Sequence, residues 1–317
     1  MISAIVVNYN GAECLYACLS SLCTQTWPDL EVIVVDNAST DGSDRIPDEY
    51  ASRVRLIRSM ENLGYGRGIN TGIAAASGDA ILALNNDIIL DRSCVELLAR
   101  AMETDPRIGM CGPKMLLPDG RLNSTGICIS RSGAAWNRDM GEEDRGAEAI
   151  QGEILGPCGG AALYRRVMLE QIGSFEESFF MYMEDVDLAA RARLTGWSCR
   201  YVPEAVVVHA NGATAGRGSD LAVYYGNRNV LWYPFKNFPL PLLVTSLPWI
   251  LGRTIGVIVY YMLQGRGRLV VRAKIHAIAG LGRMLRERRE VIRSVPAPEF
   301  SRFVRTWGEE EARYVGA

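Results

Sequence analysis

Glu31-Val-Ile-Val-Val-Asp36-Asn-Ala-Ser-Thr-Asp-Gly-Ser43 changes character at one residue: an unbroken apolar run stops at Val35, and small or polar side chains follow. A short continuous run rich in β-branched residues reads as a strand buried on both faces. The same pattern lies to either side. Ile5-Val-Val is a strand leading through Asn10-Gly11 into a helix with Leu15, Cys18, Leu19 and Leu22 on one face, closed by Pro28. Val54-Arg-Leu-Ile57 and Ala80-Ile-Leu-Ala-Leu84 are further strands. Between them the glycine turn Gly64-Tyr-Gly66 opens a helix with Ile69, Ile73 and Ala76 on one face, ended by Gly78. Apolar strands alternating with amphipathic helices predict an α/β fold with a doubly wound, mostly parallel sheet, whose ligands sit beyond the carboxyl ends of its strands.

That rule directs attention to the polar residues after each strand. Asp36 to Ser43 makes either an Asx-turn with a helix cap at Ser43 or a site where Asp36 accepts hydrogen bonds from a base or ribose. Asn85-Asn86-Asp87 sits between Leu82-Ala-Leu84 and Ile88-Ile-Leu90. A carboxylate there is costly to bury alone, so the segment is an edge turn or a site where Asp87 shares Mg2+ or Mn2+ with phosphate oxygens. Glu184-Asp185-Val-Asp187 opens a helix directly after Phe179-Phe-Met-Tyr-Met183. Acids there complement the helix dipole, and the aromatic and Met flank also suits a general base facing a partly dry pocket. His209 ends the strand Cys199 to His209 beside Asn211-Gly212, where a neutral imidazole can join a metal; His276, in a basic segment, reads as structural or exposed. Gly159-Gly160 and Asn62-x-Gly64-x-Gly66-Arg67 allow close backbone approach, with Arg67 available to a base carbonyl or phosphate. Neither is a P-loop or a dinucleotide fingerprint, which removes support for ATP hydrolysis and hydride transfer.

The rest of the chain bounds the problem. Lys and Arg number 34 against 36 Asp and Glu, so no global basic bias points to nucleic acid. The eight cysteines lie in apolar segments without a Cys-x-x-Cys pair, which favours a reducing compartment over zinc or a disulfide framework. The opening Met1-Ile-Ser-Ala-Ile-Val-Val lacks a signal peptide's basic region, so a cytoplasmic catalytic part is expected. Arg121 to Ser130 reads as extended and Arg138 to Ala149 as a charged loop, and no repeat is present. Residues 1–235 are expected to form the catalytic domain, its nucleotide half about 1–110 and its acceptor half about 111–235. Residues 236–317 then form a helical tail that associates with membrane or mediates oligomerisation. Leu240 to Leu263 is long enough to span a bilayer, but Pro241, Pro248 and Gly252 interrupt it. Arg253 near its centre costs about 2.5–3.5 kcal/mol on insertion, which favours two short interfacial helices. The arginines that follow would hold anionic headgroups; packing on the catalytic domain or against another copy is the alternative.

Taken in order, Val6-Val-Asn-Tyr-Asn-Gly11, Val35-Asp-Asn-Ala-Ser-Thr-Asp-Gly42, Asn62-x-Gly64 with Asn70-x-Gly72, Asn85-Asn-Asp87, Gly159-Gly-Ala161 and Glu184-Asp185 resemble glycosyltransferase family 2, most of all its bacterial rhamnosyltransferase-type members. The resemblance covers roughly residues 1 to 235 and implies a GT-A fold and an inverting, metal-dependent transfer. It implies Tyr9, Asn10, Asp36, Asn62, Gly64, Arg67, Asn85, Asn86, Gly159, Gly160 and Glu184 around the nucleotide and donor sugar. Asp87 and His209 are implied at a divalent cation (Mn2+ or Mg2+), and Asp185 as the base. The family's Asp-x-Asp stands here as Asn85-Asn86-Asp87, which puts the sugar or ribose contact of the first residue in doubt. The Gln-x-x-Arg-Trp of processive synthases is replaced by Arg193-Leu-Thr-Gly-Trp197, so one addition per encounter is expected. The implied partners are a dTDP- or UDP-sugar, a saccharide or polyprenyl-linked acceptor, and a membrane surface. Two rivals remain: a sugar-1-phosphate nucleotidyltransferase, which should open on a basic glycine-rich loop where Asn8-Tyr-Asn-Gly11 stands, and a sugar-nucleotide-binding scaffold without turnover.

Overall fold

The structure is a computed structural model and describes residues 1–146, 153–210 and 218–305. Its first half runs β1 (Ile2–Asn8), α1 (Leu15–Cys23), β2 (Leu30–Asp36), a 3₁₀ segment at Ser43–Tyr50, β3 (Val54–Arg58), α2 (Gly64–Ala75), β4 (Ala80–Asn85), β5 (Ile88–Leu90) and α3 (Cys94–Glu103). There follow β6 (Ile108–Leu116), β7 (Leu122–Ser124), β8 (Ile127–Ser130), β9 (Ala135–Asn137), β10 (Ala161–Arg165), α4 (Arg166–Ile172), α5 (Glu184–Leu194) and β11 (Ser198–His209). The C-terminal part is α6 (Asp220–Asn237), α7 (Leu240–Leu263), α8 (Gly267–Glu287), α9 (Ala297–Ser301) and β12 (Val304–Arg305). Asn211-Gly212, the end of the Arg138 to Ala149 loop and the last part of the tail lie outside the described residues.

The main sheet has the order β3-β2-β1-β4-β10-β6-β11-β5, with β7 added to β6. β1 to β4 are mutually parallel, as their unbroken apolar runs predict, while β10 enters antiparallel between β4 and β6. Alternate residues of one strand feed two cores, which is why β1 and β4 are buried along both faces. Val6, Val34 and Leu84 meet Leu15 and Leu19 of α1 and Leu98 of α3. Val7, Val35 and Ala83 belong to the opposite core, with Ile69 of α2 and Leu188 of α5.

That second core continues into the tail: Trp232, Tyr233, Phe238, Ala277, Met284 and Phe300 share it, and β12 pairs in parallel with β8. The tail also differs from expectation in form. Residues 240–263 make one continuous helix instead of two short ones. Pro241 sits in the first turn, where no amide donor is needed, and Pro248 is held within the helix while Leu242, Leu243, Ser246 and Ile250 are buried beneath it. Among the described residues α7 alone is long and apolar enough to cross a membrane.

Candidate active site

Parallel register sets the carboxyl ends of the central strands side by side: Asn8 is level with Asp36, and Val7 with Asn85. Asn8 is fully buried, and its side-chain amide joins the strand ends. Its Nδ2 donates to Asp36 Oδ1 at 2.8 Å and Ser43 Oγ at 2.9 Å, while its Oδ1 accepts from Asn86 Nδ2 at 2.8 Å. Asp36 also accepts from the Ser39 amide and hydroxyl at 3.1 and 2.6 Å. The polar run after β2 is therefore an Asx-type turn, with Asp41 Oδ1 accepting from the Ser43 amide at 3.0 Å. Asn10 is tied to the same turn, its Oδ1 accepting from the Thr40 amide at 2.9 Å. Tyr9 lies half-buried between Asn8 and Asn10.

Asn86 carries this network to Asp87, which is buried in the tight turn between β4 and β5. His209 arrives from the end of β11, with Nε2 3.2 Å from Asp87 Oδ1 and Nδ1 3.1 Å from Asn123 Oδ1. Asn123 thus orients the ring and leaves Nε2 toward Asp87, the arrangement found where an imidazole serves as a metal ligand. Asn85 donates its backbone amide to the Gly160 carbonyl at 3.0 Å, and a Cβ on Gly160 would stand 3.6 Å from the His209 ring. The adjoining Gly159 amide donates to Asp185 Oδ2 at 2.8 Å. A Cβ on Gly159 would lie 2.9 Å from Asp185 Cβ and 3.0 Å from its Oδ2, so this close approach excludes any larger residue without displacing the carboxylate.

Asp36, Asp87, His209, Gly160, Gly159 and Asp185 are therefore linked through direct neighbours at one end of the sheet. Glu184 and Asp185 open α5. Burial pushes both carboxyls up, Glu184 to about 8 with help from the Asp185 charge, and Glu184 Oε2 has no hydrogen-bond partner among the described residues. Two backbone amides, those of Gly159 and Val186, hold the Asp185 oxygens. The two amides favour the charged form of Asp185 against the burial that raises it, whereas the Asp185 charge adds to burial in favouring the neutral form of Glu184. The third acid of the helix, Asp187, faces the other way. Burial favours its neutral form, but Lys236, Arg191 and Asn237 overcome that and hold it below the ordinary carboxylate range.

The Gly64 segment abuts the same site. Asn62 Oδ1 accepts from the Gly64 amide at 2.9 Å, Asn37 donates to the Gly64 carbonyl at 3.1 Å, and Tyr65 donates its hydroxyl to the Gly159 carbonyl at 2.6 Å. Gly64 is left-handed at φ 76°, and a Cβ there would fall 2.3 Å from the Phe180 carbonyl oxygen. Arg67, one turn on, is exposed, with Glu61 at 3.6 Å and Glu177 at 3.8 Å, and among the described residues no ion pair or hydrogen bond joins it to the strand-end network. His276 meets Tyr224 on α6, away from that network. Sequence reading named Asn8 only within a motif; a buried amide at a strand end, flanked by Val7 and followed by Asn10-Gly11, was the available signal.

Residues 3–173 match the family model for glycosyl transferase family 2. The N-acetylglucosaminyl-diphospho-decaprenol L-rhamnosyltransferase of Mycobacterium tuberculosis (strain ATCC 25618 / H37Rv) is 31% identical over 253 residues, covering 71% of this chain and 81% of that protein. An N-acetylglucosaminyltransferase of Rhizobium sp. (strain N33) is 31% identical over 221 residues, covering 65% and 48%. Among solved structures, the fold resembles the mannosyltransferase PcManGT from Pyrobaculum calidifontis, in complex with GDP-Man and Mn2+, at a TM-score of 0.55 and 21% identity, covering 92% of this chain and 84% of that one. It resembles S. aureus TarS 1-349 at 0.57 and 17%, covering 98% and 91%. Both are GT-A structures.

Proposed function

The chain belongs to glycosyltransferase family 2, and from that premise we propose that it moves rhamnose from dTDP-rhamnose, with inversion, to a hydroxyl of a lipid-linked saccharide in cell-surface polysaccharide synthesis. UDP-sugars come next in the order of expected donors, and GDP-sugars last. The observation that carries this reading is the Asp185 carboxylate, held by two backbone amides beside the buried Glu184 and joined through Gly159 and Gly160 to the Asp87–His209 pair. The rhamnosyl donor and lipid-linked acceptor are supported by the name of the mycobacterial relative.

Asp36, with Tyr9, Asn10 and Asn62, binds the pyrimidine nucleoside, and Asn85, Asn86 and Gly160 face the donor sugar. Arg67 reaches the nucleotide only by leaving Glu61 and Glu177. Asp87 and His209 fit a divalent cation, being a buried carboxylate and an oriented imidazole that need phosphate oxygens to complete a ligand set. Bound there, Mn2+ or Mg2+ supplies charge stabilisation for the departing diphosphate. Asp185 takes the acceptor hydroxyl proton as that oxygen bonds to the anomeric carbon. The carbon–oxygen bond to the diphosphate breaks on the opposite face, and the nucleoside diphosphate departs with its electron pair. The enzyme works in the cytoplasm, with the α7–α8 hairpin resting on the inner face of the cell membrane, which suits a lipid-linked acceptor.

A panel of dTDP-, UDP- and GDP-sugars with Mn2+ or Mg2+, scored for nucleotide release, tests the reading. dTDP-rhamnose should be preferred, and Asp87→Ala should lose both donor binding and release. Full activity of Asp87→Ala, or no release from any donor, rejects it.

A further inference from the structure

The exposed side of α7 is an apolar stripe: Val244, Leu247, Leu251, Ile255, Val259 and Met262 recur every three or four residues after Leu240 and all face solvent. At its N-terminal end lies a groove of about 580 Å³ lined by Pro239, Leu240 and Leu285 together with Arg288, Arg289 and Arg293. It shares no lining residue with the carboxylate site.

The three arginines are unusual in their partners. Arg288 and Arg293 are half-buried, and burial pulls both below the ordinary guanidinium range. Among the described residues their hydrogen bonds go to carbonyl oxygens: Arg288 to Phe235 at 3.2 Å, and Arg293 to Arg288, Val291 and Lys236 at 2.8, 2.9 and 3.1 Å. Arg293 Nε is buried without a hydrogen-bond partner among the described residues. Neighbouring Glu287 does not neutralise them, since its carboxylate is turned to Arg283 at 2.5 Å and Lys236 at 3.7 Å. No acid occurs in the sequence between Asp220 and Glu287. Glu290 lies between Arg289 and Arg293 but is exposed and forms no ion pair with the three among the described residues. Partly desolvated guanidinium groups that meet only carbonyl oxygens gain from an added anion, and their planar fork matches phosphate. An apolar stripe beside them rules in a phosphate that carries hydrocarbon.

We propose that the groove of Arg288, Arg289 and Arg293 is a binding site for the phosphate headgroup of an anionic bilayer lipid, whose acyl chains continue along the stripe of α7. The assignment rests on the membrane reading above and adds a defined headgroup contact to it.

Flotation of the full chain with vesicles tests it. Wild-type protein should float with phosphatidylcholine vesicles containing phosphatidylglycerol and far less with phosphatidylcholine alone. The Arg288→Gln/Arg289→Gln/Arg293→Gln variant should lose about 100-fold in partition to the anionic vesicles, and the exposed Arg289→Gln alone about 5-fold, which keeps the test decisive if the triple variant folds poorly. Nucleotide release by Arg289→Gln should equal wild type. Leu247→Glu/Leu251→Glu should lower partition to both vesicle types. If the arginine variants float as wild type does, the groove assignment fails while the membrane reading stands; if wild type ignores every vesicle, both fail. Displacement by inorganic phosphate, but not by chloride at equal ionic strength, would make this a free-anion site and overturn the lipid assignment. So would a wild-type dimer that Arg289→Gln dissociates.

Discussion

Asp185 and Asp187 stand two residues apart in the first turn of α5, and their surroundings give them opposite tasks. Asp187 is spent on Arg191, Lys236 and Asn237, with Arg191 Nε at 2.8 Å and Asn237 Nδ2 at 2.8 Å. Among the described residues Asp185 accepts from backbone amides alone, and burial raises its proton affinity against their pull. Asp185→Asn should therefore bind the nucleotide-sugar as wild type does while turnover drops about 10²- to 10⁴-fold, as read by titration and single-turnover assay; wild-type turnover would remove Asp185 from the chemistry. Glu184 yields a prediction about stability. Its folded-state carboxyl titrates at about 8 against an ordinary 4.5, so the folded protein binds the extra proton and stability falls as pH rises through that window. Glu184→Gln cannot ionise, so its stability relative to wild type should improve between pH 4.5 and 8 in urea titrations, and an unchanged difference would count against the buried, protonated Glu184. The residues alone located the acid cluster and only the family resemblance singled out Asp185, because two of the partners that distinguish Asp187, Lys236 and Asn237, arrive from α6, some 50 residues later.

At the scale of elements, the legible parts were those whose order is local. β1, β2 and β4 announce themselves because residues of both faces are buried, and α1 because its apolar residues share one face. The antiparallel insertion of β10 and the continuity of α7 depend on what packs around them, so neither was readable. The same holds for the loop before α5. Phe180, Tyr182 and Met183 all adopt positive φ, at 66°, 65° and 74°, a conformation that costs side-chain-bearing residues about 1–3 kcal/mol each. The cost is met by α6. Asn229, fully buried, sets its amide nitrogen 2.8 to 2.9 Å from the carbonyl oxygens of Phe179, Met181 and Tyr182. Arg228 donates to the Ser178 and Phe179 carbonyls at 2.8 and 2.9 Å. Because this loop aims Glu184 and Asp185, Asn229 is a positioning residue. Asn229→Ala should cost about 1–3 kcal/mol of stability and lower kcat at least tenfold with donor Kd unchanged. A variant with wild-type kcat would show that the loop holds its shape without the clamp.

For the molecule as a whole, the question is whether the tail is an appendage. The composition break near Phe235 suggested a boundary, since apolar and basic residues replace the mixed sequence before it. Composition reports what a segment contains, however, and contacts decide what it belongs to. Lys236 Nζ is nearly buried, 2.8 Å from Glu176 Oε2 and 3.1 Å from Asp187 Oδ1, and Arg283 of α8 reaches Glu176 at 3.1 Å. Asp187, on the helix that carries Asp185, and Glu176 before it are thus neutralised by residues that lie beyond the apparent boundary. Breaking one partner of a buried pair typically costs about 3–5 kcal/mol, because the other charge is left desolvated. Lys236→Met, which strands Asp187 and takes one of two cations from Glu176, should show a loss of that size in chemical denaturation; a variant as stable as wild type would show that these pairs contribute nothing. Truncation after residue 235 removes Lys236, Asn237, Phe238 and Phe300 together, a deficit comparable to the entire stability of a domain at about 5–15 kcal/mol. The 1–235 fragment should therefore be insoluble or unfolded by circular dichroism; a soluble fragment that still releases nucleotide would make the tail an appendage after all.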